Sequence, residues 1–318
     1  MRIRAVLLCC GLLFPAVASA QSDYPSKPVH IVVGFGPGSA ADLTARVVAQ
    51  RLSTTLGQQF VVENKPGGGS TVAAVQVSRA PKDGYTLLMG SVAIIINGLI
   101  QPSLKVNFAG DFAPITLATG SGNILVVHPS IGVSNVRELI ALAKEKPGQL
   151  NFGSSGFGTS PHMTGELFNI AAGTKIVTVH YQGSAQALTD LLAGRIQVMF
   201  SPASTVTSHI ETGTIRALAT SEGTRSASAP NLPTVAETLP GFDTSLWFGF
   251  VAPTGTPKPV IDRLSAAMNE ALKNDEVAKP LRAAGLDIKG GTTEAFSAII
   301  ASETKQWDSV IGAAGLRK

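Results

Sequence analysis

Between residues 30 and 43 an apolar run stops at a glycine-rich turn and a helical pattern begins. His30-Ile31-Val32-Val33 leads into Gly34-Phe35-Gly36-Pro37-Gly38, and Ser39-Ala40-Ala41-Asp42-Leu43 follows. Ser39 is a good N-cap, with Asp42 three residues on as in a capping box. Such a strand–glycine turn–helix junction aims free backbone N–H groups and the positive helix end at one spot, which suits an anion.

The rest of the chain repeats this alternation, which predicts an α/β architecture with mostly parallel sheets. Strands are expected at Val29–Val33, Phe60–Glu63, Tyr85–Met89, Ile124–His128, Leu150–Phe152, Val177–Tyr181 and Ile196–Phe200. Helices are expected at Leu43–Leu56, after Gly67-Gly68-Gly69-Ser70 to about Ala80, at Val136–Lys146, from Pro161 to about Ala171, and at Ala185–Leu192. Residues 259–318 read as helices separated by Gly285 and by Gly290-Gly291. Glycine and serine turns recur at strand ends at 34–39, 153–160 and 183–184, and open α/β sheets bind ligands beyond the carboxyl ends of their strands.

Length points to two lobes, since single cores seldom grow much beyond about 250 residues. Residues 21–123 would begin lobe 1, 124–246 form lobe 2, and 247–318 return to lobe 1 and add the C-terminal helices. The crossovers would lie near 115–125 and 244–252. Residues 1–20 read as a cleaved export signal: Arg2 and Arg4, an apolar segment from Ala5 to Val17, then Ala18-Ser19-Ala20. Both cysteines, Cys9 and Cys10, lie inside it, so no disulfide and no cysteine metal site is expected. Loss of the two arginines lowers the formal net charge from +4 to +2. With no basic run and 6% aromatic residues, nucleic-acid binding is not expected. The most apolar stretch after the signal, Val92 to Ile100, is interrupted by Asn97 and Gly98.

Gly36, Gly38 and Ala41 also fit a relaxed dinucleotide fingerprint, with Glu63 about twenty residues on where a ribose-binding acid would sit. Export argues against a soluble nicotinamide cofactor, and a turn that binds nothing is the plainer alternative. Ser155, with His162 near in sequence, raises a serine hydrolase. Gly153-Ser154-Ser155-Gly156-Phe157 is not a nucleophile elbow, however, because Phe157 stands where glycine is required. The five histidines show no metal-ligand spacing, and no cofactor is expected. Trp247 and Phe248 read as core or hinge packing.

The chain resembles the Bug receptors, the substrate-binding proteins of tripartite tricarboxylate transporters. The resemblance rests on Tyr24-Pro25-Ser26-Lys27-Pro28, Gly36-Pro37-Gly38 with Asp42, Glu63-Asn64-Lys65-Pro66-Gly67-Gly68-Gly69, and Pro81-Lys82-Asp83-Gly84-Tyr85-Thr86-Leu87. It continues through Gly153-Ser154-Ser155-Gly156, Gly158-Thr159, Gly165-Glu166-Leu167-Phe168, Tyr181, Gly183-Ser184-Ala185, Ala187-Leu188-Thr189-Asp190-Leu191-Leu192, Trp247-Phe248-Gly249 and Ala252-Pro253-Thr254-Gly255-Thr256-Pro257. It implies a periplasmic-binding-protein-like α/β fold: a periplasmic, non-enzymatic, monomeric receptor whose two lobes close like a flytrap on a small carboxylate. The partners implied are integral membrane transporter subunits, with a ligand-sensing role beside a membrane kinase as the alternative.

The ligand-binding residues implied are Phe35, Gly36, Gly38, Ser39, Ala40 and Ser91 on one lobe, and Ser154, Ser155, Gly158, Thr159, Gln182, Ser184 and Ser201 on the other. Three departures from the family pattern stand out. Ser39 replaces a second glycine, His180 and Gln182 flank Tyr181 in place of proline and lysine, and Ser201 stands where an acid is common. Loss of that acid argues against an amino-acid ligand, whose ammonium wants a carboxylate, and favours dicarboxylates or aromatic acids.

Overall fold

Val29–Val33 (β1) sends alternate side chains to opposite faces, as a doubly covered strand must. Ile31 and Val33 join one buried cluster with Leu87 and Met89, while Val32 joins another with Leu88. The computed structural model describes residues 24–226 and 229–318. The expected export signal and its cleavage site lie outside the described residues.

Ala40–Leu56 (α1) follows β1 and packs on Phe60–Asn64 (β2). Thr71–Ser78 (α2) leads to Thr86–Ser91 (β3), and Val92–Ile100 (α3) starts directly from the end of β3. A short turn of helix, Phe108–Asp111 (α4), precedes the long strand Phe112–Ser121 (β4), and after Gly122 the chain enters Asn123–Val127 (β5) in a second sheet. Val136–Glu145 (α5), Asn151–Ser154 (β6), Ser160–Ala172 (α6), Val177–His180 (β7), Ser184–Leu192 (α7), Val198–Pro202 (β8), Ala203–Glu211 (α8) and Arg216–Thr220 (β9) complete that half. Leu246–Pro253 (β10) returns to the first sheet. Lys258–Lys273 (α9), Asp275–Ala283 (α10), Asp287–Ile288 (β11) and Thr293–Ala313 (α11) finish the chain.

The sheet orders are β11-β4-β10-β3-β1-β2 and β7-β6-β8-β5-β9. Both sheets are mixed, which corrects the expectation of mostly parallel pairing. The pairs β1–β2, β1–β3, β6–β7 and β6–β8 are parallel, whereas β10 is antiparallel to β3 and β4, and β5 is antiparallel to β8 and β9. The reason is connectivity. A strand that leaves a lobe runs towards the boundary, and one that returns runs away from it, so neighbours of these two kinds must oppose each other.

Other differences are local. Helix α1 begins at Ala40 rather than Leu43, Asn274 breaks the C-terminal region, and the two-residue strand β11 lies where only turns were expected. Val92–Ile100, the most apolar stretch, forms a helix packed into the lobe 1 core. Among the described residues no single helix is long and apolar enough to cross a membrane. Trp247 and Phe248 are both buried.

Helix α6 ties the halves together. It belongs to lobe 2, yet its Met163 lies in the lobe 1 cluster, and Leu167 packs against the clusters of both lobes. In the lobe 2 core Phe200 is fully enclosed by Phe152, Phe168 and Phe242, with ring centroids about 6 Å apart. Phe200→Ala is expected to destabilise the protein by about 3–5 kcal/mol, read as a lower midpoint in urea unfolding. A loss below about 1 kcal/mol would mean that the aromatic cluster can collapse around the gap.

Candidate functional site

Strands β1, β2 and β3 run in the same direction as β4, whose last residue borders lobe 2. Their carboxyl ends, at Gly34, Lys65 and Ser91, therefore face the other lobe. Strands β6 and β7 run with β8, whose Pro202 pairs with Asn123 at the boundary, so the turns after Ser154 and His180 face lobe 1. The glycine and serine turns expected from the sequence thus stand on opposed edges.

The first turn is built around Asp42, whose carboxylate is buried within lobe 1. Asp42 accepts from the Gly38 N–H at 2.9 Å, from Asn64 Nδ2 at 2.8 Å and from Arg46 Nε at 3.0 Å. Asn64 also donates to the Phe35 carbonyl at 3.0 Å. Burial opposes ionisation of Asp42, but the Arg46, Gly38 and Asn64 hydrogen bonds and the Arg46 charge outweigh it and hold the carboxyl below the usual range. Ser39 caps α1 by accepting from the Asp42 N–H, and its own N–H goes to the Gly36 carbonyl. The donors left open at this helix start are the N–H groups of Ala40 and Ala41, which meet no acceptor among the described residues. Phe35 turns its ring onto Phe248, 5.9 Å between centroids.

Two serines sit beside this turn with no partner. Ser91, at the start of α3, and Ser70, at the start of α2, are fully buried, cap nothing, and their hydroxyls meet no partner among the described residues. A Cβ on Gly34 would lie 1.8 Å from Ser70 Oγ, so only glycine lets the two turns touch. Sequence reasoning misses Ser70 because Gly67-Gly68-Gly69 reads mainly as a turn; the serine that ends the run is the signal that could have found it.

On lobe 2, Ser155 donates to Thr159 Oγ1 at 3.1 Å, and Thr159 donates to the Gly156 carbonyl at 2.7 Å while capping α6. Gly158 N–H donates to His162 Nδ1 at 3.1 Å. Burial, then the charge of His180, pushes His162 down to about 4, so its ring is neutral at pH 7 and serves as an acceptor that shapes the turn. Ser154, fully buried, pairs with His180 Nδ1 at 2.8 Å. Ser155 has no histidine partner, and no carboxylate orients His180 among the described residues, so the geometry of a hydrolytic triad is not assembled.

Helix α7 has Gly183 as its N-cap with no side-chain cap, and the N–H groups of Ser184, Ala185 and Gln186 meet no acceptor among the described residues. Gln182 is exposed, and its N–H is held by Gln186 Oε1 at 3.1 Å. Ser201 is buried, with only a 3.4 Å contact to the Pro202 carbonyl. Asn123, which no motif marks, is buried at the start of β5. Its Nδ2 donates to Ser160 Oγ at 3.0 Å, and its Oδ1 meets no partner among the described residues. Glu63, the candidate ribose acid, is taken by His30 Nδ1 at 2.6 Å.

The edges meet at Asn97 of α3. A Cβ on Gly69 would lie 2.4 Å from Asn97 Nδ2, and one on Gly158, of the opposite lobe, 2.9 Å from Asn97 Oδ1. Gly158 has φ +71° as well, so a larger residue is opposed by backbone and neighbour alike. Nearby, Lys318 donates its N–H to the Ile100 carbonyl at 2.8 Å and holds Nζ 4.5 Å from the Phe157 ring centroid.

Two mixed α/β sheets, crossed twice by one chain and presenting open helix starts across their boundary, define a periplasmic binding protein fold. The chain belongs to the TctC family: the description "Tripartite tricarboxylate transporter family receptor" matches residues 44–316. This is a family of solute-binding receptors and not of catalysts. The chain is 33% identical to Protein BugT of Bordetella pertussis (strain Tohama I), over 95% of this chain and 94% of that one. Among solved structures it is similar to R. palustris Rpa4515 with adipate, at 34% identity and TM-score 0.79 over 92% of this chain and 99% of that one. It is also similar to MatC from Rhodopseudomonas palustris with bound malate, at 27% identity and TM-score 0.75 over 91% and 100%.

The lowered Asp42 carboxyl makes the first turn pH-sensitive. A depressed folded-state value stabilises the fold above the ordinary carboxyl range, and the gain is lost as pH falls through the lowered value. Asp42→Asn is expected to cost about 1–3 kcal/mol at pH 7, with the difference from wild type narrowing below about pH 4. Urea unfolding at the two pH values checks this, and equal stabilities at pH 7 would show that the turn does not depend on the charge.

Proposed function

We propose that this chain is a periplasmic receptor that captures a small dicarboxylate between its lobes as a monomer and passes it to integral membrane transporter subunits. The observation that carries the reading is the chemistry of the opposed edges. Open helix starts and neutral hydroxyls face the boundary, while the one buried acid of the first turn, Asp42, is fully engaged by Gly38, Asn64 and Arg46. Ala40, Ala41, Ser70 and Ser91 would take one carboxylate, and Ser184, Ala185 and Gln186, with Ser154, Thr159 and Ser201 nearby, the other. Gly36, Gly38 and Gly158 let the backbone approach, and Phe35, Ser39, Ser155 and Gln182 complete the rims.

Each helix start contributes about 0.3–1 kcal/mol, up to about 2. A hydrogen bond to a charged group contributes about 1.5–3 kcal/mol. A few of these reach the roughly 8 kcal/mol of a micromolar complex. An ammonium group would find no free carboxylate here and would be desolvated without compensation. The relatives that carry adipate and malate support a dicarboxylate.

Calorimetry with adipate, malate, succinate and aspartate is the test. Micromolar binding of at least one of the first three, with aspartate weaker by roughly tenfold or more, is expected from the missing ammonium partner. Tighter binding of aspartate would overturn the choice of ligand class. Gly158→Val places a side chain against Asn97 and is expected to weaken dicarboxylate binding by roughly tenfold or more. It should also abolish the fall in radius of gyration that small-angle scattering is expected to show when ligand is added to the wild type. A variant that compacts and binds normally would mean that the Asn97–Gly158 contact is not part of closure.

A further inference from the structure

The crossover strands have two flanks. In lobe 1, β3, β1 and β2 lie on one side of β4 and β10, and β11 lies on the other. In lobe 2, β6 and β7 lie on one side of β8 and β5, and β9 lies on the other. The glycine turns occupy the first flank. On the second flank is a cavity of about 980 Å³, walled by α8 and β9 of lobe 2 and by the α10–β11 turn of lobe 1, with Ser121 and Gly122 of the crossover at its floor. Its volume is that of a small-molecule site.

Two buried side-chain oxygens on its wall, Glu222 Oε2 and Thr220 Oγ1, meet no side-chain donor among the described residues. Glu222 is 8% exposed; its Oε1 lies 3.5 Å from Lys289 Nζ, and the Gly122 N–H also reaches its carboxylate. Thr220 is 2% exposed, and its Oγ1 meets no partner among the described residues. Asp287 also lines the cavity and lies 3.9 Å from the same Lys289, so two carboxylates share one ammonium. Burial pushes the Glu222 carboxyl up; Lys289 pulls it back only in part, and Asp287 adds to the rise. Ser226 Oγ already donates to Asp287 at 2.7 Å, but the carboxylates of Glu211, Glu222 and Asp287 outnumber the two cations at the cavity, Arg282 and Lys289, so the wall carries a net negative charge.

We propose that this cavity is a second binding site, in which Glu222 and Thr220 take a small organic ammonium ion. One N–H would donate to Glu222 Oε2 and another to Thr220 Oγ1, and the charge would balance the second carboxylate. A metal ion fits less well, because no three His, Cys, Asp or Glu side chains are grouped to hold one among the described residues. At the mouth, exposed Arg282 forms no ion pair among the described residues and offers a place for an anionic tail.

Calorimetry on the full chain at neutral pH and low salt tests this with putrescine, γ-aminobutyrate and the butanediol of the same chain length. Binding of either amine, with none of the diol, is expected; tighter binding of γ-aminobutyrate would add Arg282 to the site. Glu222→Gln is expected to weaken the amine by roughly tenfold or more. Ser204→Trp, on the exposed wall of α8, is expected to block it while leaving Glu222 and Lys289 in place. A matching thermal melt shows that each variant is folded. No amine binding by the wild type up to about 10 mM, equal binding by folded Glu222→Gln, or equal binding of the diol would overturn the proposal.

Discussion

The chain crosses between its two sheets twice, through Gly122 after β4 and again between β9 and β10, and most of the architecture follows from that constraint. A strand that ends at the boundary fixes the direction of every strand parallel to it. With β4 running towards lobe 2, β1, β2 and β3 must also end there; with β5 running away from it, β6, β7 and β8 must end there as well. Helices that follow these strands start at the boundary, so their positive ends face one another. The same crossings separate the cleft of glycine turns from the cavity that holds Glu222.

Charge is handled differently on the two flanks. On the glycine-turn flank the buried acid, Asp42, is surrounded by Arg46, Asn64 and the Gly38 N–H, and works as a fastener for the loop. What remains exposed to a solute there is neutral: backbone N–H groups and hydroxyls at helix starts. Such donors hold an anion without a buried cation, whose own desolvation would have to be offset before any ligand bound. On the other flank Glu222 Oε2 meets no side-chain donor among the described residues, and Glu222 shares Lys289 with Asp287. The two halves of the boundary are accordingly proposed to take solutes of opposite sign.

Contacts across the boundary are specific, and they include the Lys289–Glu222 ion pair and the Ser226–Asp287 hydrogen bond on the second flank. Met163 and Leu167 of α6 reach into the lobe 1 core, Asn97 lies between Gly69 and Gly158, and Lys318 stands over Phe157. Small groups at 69 and 158 let the lobes approach to van der Waals distance, and Asn97 can meet both because neither carries a side chain. The large aromatic clusters around Phe200 and around Trp247 each stay within one lobe, whereas Met163 of lobe 2 is packed in the same core as Trp247.

Local chemistry is legible in the order of the residues. Ser39 and Thr159 cap their helices because a hydroxyl before an apolar-periodic run is the nearest acceptor for the first free N–H groups, and the glycines at 34–38 and 153–158 mark the turns. Alternating apolar residues place β1 and β8 to within two residues. Strand direction is not legible, because an apolar run looks the same in a parallel or an antiparallel pair; only the two crossings set it. Nor is the full set of Asp42 partners, since Arg46 follows at i+4 on the same helix but Asn64 lies on β2, nor the roles of Ser70, Asn97 and Asn123. A serine or asparagine in a sequence carries no sign of whether its partner is water, a neighbour or a solute. The βα units and their helix starts depend on residues within a turn of one another, so the order of amino acids alone was enough to specify them. Which helix starts share a cleft, and which carboxylates are left open, depends on groups far apart in the chain, and these come together only when the folded chain's two crossings bring them to one boundary.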